Sequence, residues 1–228
     1  MPAISEKMLH RQVQGSALVN KADKLATLAT LLEQSPQSLK LATLFNTRNS
    51  GWSNSAAFHA ACDDKGPTLV LIQCSDGTGY GGYTSLSWRS TNHYQIDAKA
   101  FLFRIHNFAS TVKQTPEKLA RTGAGNDIYT HGSHGPTFGG GHDLTTIHSN
   151  KLALGCNQSS FNTSGPLITS TVPKDANNYE MEVLSVGTAT ATFAEELEAP
   201  WLTGCAWSSE VKLYGAVHYA FQLSKLAK

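Results

Sequence analysis

Residues 135–144 read GPTFGGGHDL, four glycines and a proline in ten positions. A helix is excluded there. Glycine loses more backbone entropy on folding than any other residue, so such density belongs where the chain turns tightly or where another group comes too close for a side chain. The flanking stretches, NDIYT at 126–130 and DLTTI at 143–147, read as short strands. The run is therefore expected to be a backbone-constrained turn between two strands, and it commits this part of the chain to β structure.

Other segments point the same way. PTLVLIQ at 67–73 is a compact apolar run with β-branched members, expected to be a buried strand. SDGTG at 75–79 carries hairpin-turn chemistry in Asp76-Gly77, with YGGYTSLSW at 80–88 as the returning strand. In AFLFRIH at 100–106, Phe101, Phe103 and Ile105 share one face and Leu102, Arg104 and His106 the other, so one face should be core. YEMEVLSV at 179–186 alternates as a strand with a partly solvated face, on which Glu180 and Glu182 read as solvated charges.

Helical signals are short. Residues 6–34 are mostly good helix formers, with Leu25, Leu28 and Leu32 on one face, Gly15 and Asn20 as points of division, and Ser35-Pro36 as a stop. Such a segment can pack on the main domain or form an arm or dimerisation helix. The stretch 41–65 reads as an apolar strand, a loop and a short helix capped by Ser53, with Phe58 and Cys62 one turn apart. Thr115-Pro116-Glu117 suggests a helical turn to about Arg121. Leu152 to Cys156 reads as a strand. The tail from 188 to 228 is too apolar for disorder and is compatible with strand or helix, packing on the domain or a partner.

A chain of 228 residues with 40% hydrophobic content supports one sizeable core. The expected division is a helical segment at 1–40, a domain at 41–187 and an extension at 188–228. A net charge of +1 with scattered basic residues offers no footprint for nucleic acid. No apolar run approaches the length of a membrane span, and the first residues lack the order of a signal peptide, so the chain reads as cytoplasmic, without membrane insertion. Cys62, Cys74, Cys156 and Cys205 form no C-x-x-C pair and read as reduced thiols, while the triplets at Asn157 and Asn162 read as polar loop.

The candidate chemistry is thin. His131, His134, His142 and His148 lie close together in sequence, and imidazole is a common metal ligand, but no pair has the i, i+4 spacing of a helical zinc site. An enzymatic reading would gather His131, His134 and His142 with Asp143 and Glu182 around a cleft. His59 and Cys62 are one turn apart without a third orienting group. Gly77, Gly79 and Gly82 satisfy G-x-G-x-x-G but precede strand-forming residues rather than a helix, and no Gly-Lys-Ser/Thr follows 139–141 to make a phosphate loop. No catalytic, cofactor-binding or metal residues are expected from these patterns.

Five blocks in order resemble the TLDc domain family: LFNTRNSGWSNSAAFHAACDDKGPTLVLIQ, GYGGYTSLSW, AFLFRIHN, HGPTFGGGHDL and YEMEVLSV. The resemblance covers about 40–187, and its structural signature here is Gly66, Pro67, Gly81, Gly82, Gly135, Pro136, Gly139, Gly140, Gly141 and Asp143. It implies an α+β, mainly β fold: a sandwich of two antiparallel sheets flanked by short helices. It further implies a non-enzymatic protein-interaction module without cofactors, linked to oxidative-stress protection and to docking on or regulating the vacuolar-type proton ATPase. Through that partner the chain would sit at an organelle surface. A permanent subunit of a large ciliary or organellar assembly is the second reading. The chain departs from the family pattern at Leu184, where an aromatic is frequent, and in its segment beyond 187.

Overall fold

The computed structural model describes residues 6–50, 54–123, 125–148, 159–161 and 179–188, with 151–155 as backbone. They form two β-sheets and a few short helices, the α+β, mainly β sandwich expected from the resemblance. The larger sheet has seven strands in the order β1 (Val13–Gln14), β2 (Leu39–Asn46), β12 (Tyr179–Thr188), β3 (Thr68–Cys74), β4 (Gly79–Thr84), β6 (Phe101–Ile105) and β7 (Glu117–Ala120). The smaller has five, ordered β11 (Lys151–Gly155), β10 (Leu144–His148), β9 (Thr137–Phe138), β8 (Ile128–Thr130) and β5 (His93–Gln95). Among the described strands, all the ladders apart from the parallel β1–β2 pair are antiparallel.

Strand β3 explains the layering. Its alternate side chains serve two cores: Val70 and Ile72 face a cluster with Phe138, Leu144 and Ile147 of the smaller sheet, while Leu69 and Leu71 face a second cluster. That second cluster holds Leu9, Leu25, Leu28 and Leu31 from the helices α1 (Glu6–Gln12) and α2 (Ala22–Leu31). Burial on both faces favours an apolar run rather than polar alternation, which is why Leu69 to Ile72 are apolar without a break. Strand β6 behaves in the same way. Phe101, Phe103 and Ile105 meet the helices and Leu102 the sandwich core, so both of its faces are core rather than one.

The β3–β4 hairpin turns at Asp76-Gly77. Gly77 N–H donates to the Cys74 carbonyl at 3.0 Å, and Asp76 Oδ1 accepts from Thr78 N–H at 2.8 Å. The returning strand stops at Thr84, short of Trp88, whose buried indole donates to Thr68 Oγ1 at 2.9 Å. Helix α3 (Thr47–Ser50) follows β2, and helix α4 (Ser55–Cys62) seats Phe58 and Cys62 in the sandwich core. The cap of α4 is Asn54 rather than Ser53; the Asn54 side chain accepts from Ala57 N–H. The proposed helical turn after Pro116 is instead strand β7, because pairing with β6 and the Arg104–Glu117 ion pair outweigh a local helical preference. Among the described residues no helix is long and apolar enough to cross a membrane, which leaves β-barrels unaddressed. The readings for Cys156, for the triplets at Asn157 and Asn162, and for the tail with Cys205 fall on residues outside those described.

Candidate functional site

The glycine-rich stretch contributes a strand of its own, β9, before it turns into β10. Gly139 has φ +84°, and a Cβ there would lie 2.5 Å from Asp143 Cγ. The turn is thus wrapped around a carboxylate. Asp143 is fully buried: Oδ1 accepts from Ser159 N–H (3.0 Å) and Oγ (2.9 Å), and Oδ2 from the N–H groups of Ser160 (2.7 Å) and Phe161 (2.9 Å). In return Gly140 N–H donates to Ser160 Oγ and Gly141 N–H to Ser159 Oγ. The Asp143 oxygens are therefore spent on holding residues 159–161, which place Phe161 in the core.

Beside this turn the four histidines converge. The rings of His134 and His148 stack with centroids 4.3 Å apart, and His134 lies 4.8 Å from His131 and 5.4 Å from His142. Tyr129 stands within 5.4 Å of His131, His134 and His142, between them and Tyr94. A fifth histidine joins from α4. His59 Nε2 lies 3.0 Å and 2.9 Å from the carbonyl oxygens of His131 and His134, and its Nδ1 lies 2.7 Å from Asp63 Oδ1. All three partners carry acceptor oxygens, and a neutral imidazole has a single N–H, so the tautomer decides which side of the His59 ring donates. Sequence adjacency to Cys62 concealed this contact, since the residues His59 reaches are more than seventy positions away.

His134 is buried, with its Nε2 among the buried polar atoms that have no hydrogen-bond partner. Burial first, and then the neighbouring imidazoles of His148, His131, His142 and His59, push its pKa down from 6.5 to about 4. His142 is also lowered, by burial and then by His148, with Asp143 opposing. Among the described residues, no three His, Cys, Asp or Glu side chains are placed to hold a metal ion.

The carboxylate pair of β12 divides. Glu180 is half-exposed and paired with Arg48 at 2.7 Å, whereas Glu182 is buried rather than solvated. Glu182 Oε1 accepts from the N–H groups of Ala17 (2.8 Å) and Leu18 (3.3 Å), and Oε2 accepts from Ser16 Oγ. Nearby, Lys24 Nζ donates to the Leu18 carbonyl at 2.9 Å; burial lowers its pKa while Glu182 opposes the shift. A polar cleft of about 200 Å³, lined by Gly15, Asn46, Arg48, Glu180 and Glu182, opens here. Glu182 thus belongs to the helix-facing side of the larger sheet, and the His131, His134, His142, Asp143 and Glu182 grouping does not assemble as one cleft.

The two described thiols are inert by environment. Burial, and then the Asp63 charge, push Cys62 up to about 12; burial and then Asp76 push Cys74 to about 11. A further network was not legible from spacing. Buried Asp127 receives both Nε (2.9 Å) and Nη2 (2.7 Å) of Arg121 and the Asp97 N–H, while Asp97 accepts from Thr84 Oγ1 and from the N–H and Oγ of Ser85.

Comparison with known proteins agrees with the fold. The TLDc domain pattern matches residues 13–187. Two curated relatives share a local stretch. MTOR-associated protein MEAK7 of Danio rerio is 34% identical over 62 residues, 27% of this chain and 14% of that protein. MTOR-associated protein MEAK7 of Xenopus laevis is 43% identical over 42 residues, 18% of this chain and 9% of that protein. The matches therefore span a small part of those relatives' length.

Proposed function

The chain belongs to the TLDc domain family, and from that premise we propose that it is a non-catalytic interaction module that docks on a larger protein assembly. The observation that carries this reading is how the polar residues are engaged. Asp143 and Glu182 both hold backbone N–H groups, and His59 is held by Asp63 and two carbonyls. The serine hydroxyls that two of them also meet, Ser159 at Asp143 and Ser16 at Glu182, belong to the same segments whose N–H groups those carboxylates hold. The polar cleft near Glu182 is below the roughly 300–1,000 Å³ of usual small-molecule sites.

The family resemblance supports the vacuolar-type proton ATPase as partner and a link to oxidative-stress protection. Burial raises the pKa of the Cys62 and Cys74 thiols and disfavours their reactive thiolate form, which supports a protective role through assembly over one through these two residues. The relatives' name supports a different assembly, one associated with MTOR. The glycine signature from Gly66 to Asp143 has a structural role in this reading, and the segment beyond 187 is an extension that packs on the domain or the partner.

Native affinity purification of the tagged chain, with mass spectrometry of what accompanies it, tests the proposal. Recovery of proton-pump subunits is the expected result. Recovery of the chain alone would overturn the docking reading, and recovery of MTOR-associated proteins would reassign the partner. Stoichiometric, salt-resistant co-purification would favour a permanent structural subunit over an exchangeable module.

A further inference from the structure

We propose that the histidine cluster is an acid-operated latch on the glycine-rich turn: protonation of His134 releases segment 131–148 from helix α4 while the larger sheet stays folded. The geometry carries the inference. His134 is 6% exposed; its Nδ1 lies 3.2 Å from Ser133 Oγ, while its Nε2 is buried with no partner, so the protonated ring leaves the Nε2 donor without an acceptor. The groups facing it from each described element are cationic or neutral. His131 comes from the loop after β8, His142 from the turn, His148 from β10, and Tyr129 from β8. From α4, His59 reaches the His134 carbonyl, and its own carboxylate partner, Asp63, lies on the far side of that ring. Asp143 is adjacent to His142 in the chain, but its oxygens are committed to residues 159–161. A charge on His134 is therefore unpaired inside the fold and paired with water once the segment opens.

The hold of α4 on the segment is separable from the packing of Phe138, Leu144 and Ile147 against Val70 and Ile72 of the larger sheet. His59 grips the carbonyls of His131 and His134, Gly135 N–H donates to the Ile147 carbonyl, and the His134–His148 backbone bridge sits in the smaller sheet. None of these contacts involves β3, β4 or β12. The depressed affinity of His134 for its proton, about 4 against 6.5 when exposed, makes opening proton-coupled between those values. Across a fall from pH 7.5 to 5.0 the opening equilibrium is expected to rise on the order of tenfold or more.

Hydrogen exchange of the full chain, corrected for intrinsic rates, tests the latch at pH 7.5 and 5.0 with EDTA present. Protection at the amides of His134, Gly135 and His142 is expected to fall by that factor, with the amides of Leu69 to Ile72 unchanged. Unchanged protection in 131–148, or an equal loss in β3, would overturn the proposal. A His134→Gln chain should lose most of the acid response, leaving the part that His142 carries; retention of the full response would count against it. Should that variant not fold, NMR titration of the His134 ring in the native chain decides, because titration at or above the ordinary histidine value removes the latch. Zn²⁺ addition that stabilises the native chain through His134 would make the cluster a ligand set and likewise overturn it.

Discussion

At the scale of single residues, the signature positions differ in how much they depend on being glycine. A Cβ on Gly81 would lie 1.9 Å from the Val70 carbonyl oxygen, a backbone atom that cannot swing aside. Gly81→Ala is expected to cost about 3 kcal/mol of unfolding free energy, read by urea denaturation. Gly139→Val combines left-handed backbone with a clash on Asp143, so about 1–2 kcal/mol comes from backbone strain alone. A lowered melting temperature is the expected outcome for Gly139→Val; lost partner binding at an unchanged melting temperature would assign the turn to the interface instead. Asp143→Ala should cost about 3 kcal/mol or more, because it strands the buried N–H groups of Ser160 and Phe161.

At the scale of elements, the sandwich is tied to its helical layer by one buried carboxylate. Glu182, midway along β12, anchors the loop between β1 and α2 through Ser16, Ala17 and Leu18. Glu182→Ala is expected to expose that loop to limited proteolysis between residues 15 and 20 while leaving the β3–β4 hairpin intact; equal cleavage in both variants would show that the apolar contacts of Leu18 and Val19 hold the loop unaided. The elements also show what spacing conveys. Strands β6 and β12 were legible because strand side chains alternate with period two, and β3 because it is a short apolar run with β-branched members. The β7 strand was not, because Thr-Pro-Glu favours a helical turn locally and only pairing with β6 reverses that preference.

At the scale of the whole molecule, acid should act in two steps. His134 binds its proton less readily folded than unfolded, so its penalty is absent above pH 6.5, grows as pH falls towards 4 and is complete below that. Asp97 has the opposite sense. Burial alone would raise its pKa, but hydrogen bonds from Thr84, Ser85 and Lys99 outweigh burial and lower it below 3.8. Its stabilisation is present above 3.8 and is lost as pH falls through the folded value. Thermal melts from pH 7.5 to 3 should therefore show a first decline that His134→Gln reduces to the share carried by His142, and a second one that this variant retains.

The sequence by itself determined the class of fold. Hairpin chemistry at Asp76-Gly77, alternation in two strands, an apolar run in a third and a glycine run hostile to helix are local properties, set by backbone sterics and side-chain period, and they survive without knowledge of neighbours. It also marked the turn at 139–143 as conformationally special. Only the tertiary structure decided what that turn does. Asp143 acts on residues sixteen to eighteen positions away, His59 meets His131 and His134 across more than seventy, and Glu182 meets Ser16 across 166. Burial and charge pairing over such separations are set by how the sheets stack, so one polar glutamate becomes a buried anchor while Glu180, two residues away, stays at the surface.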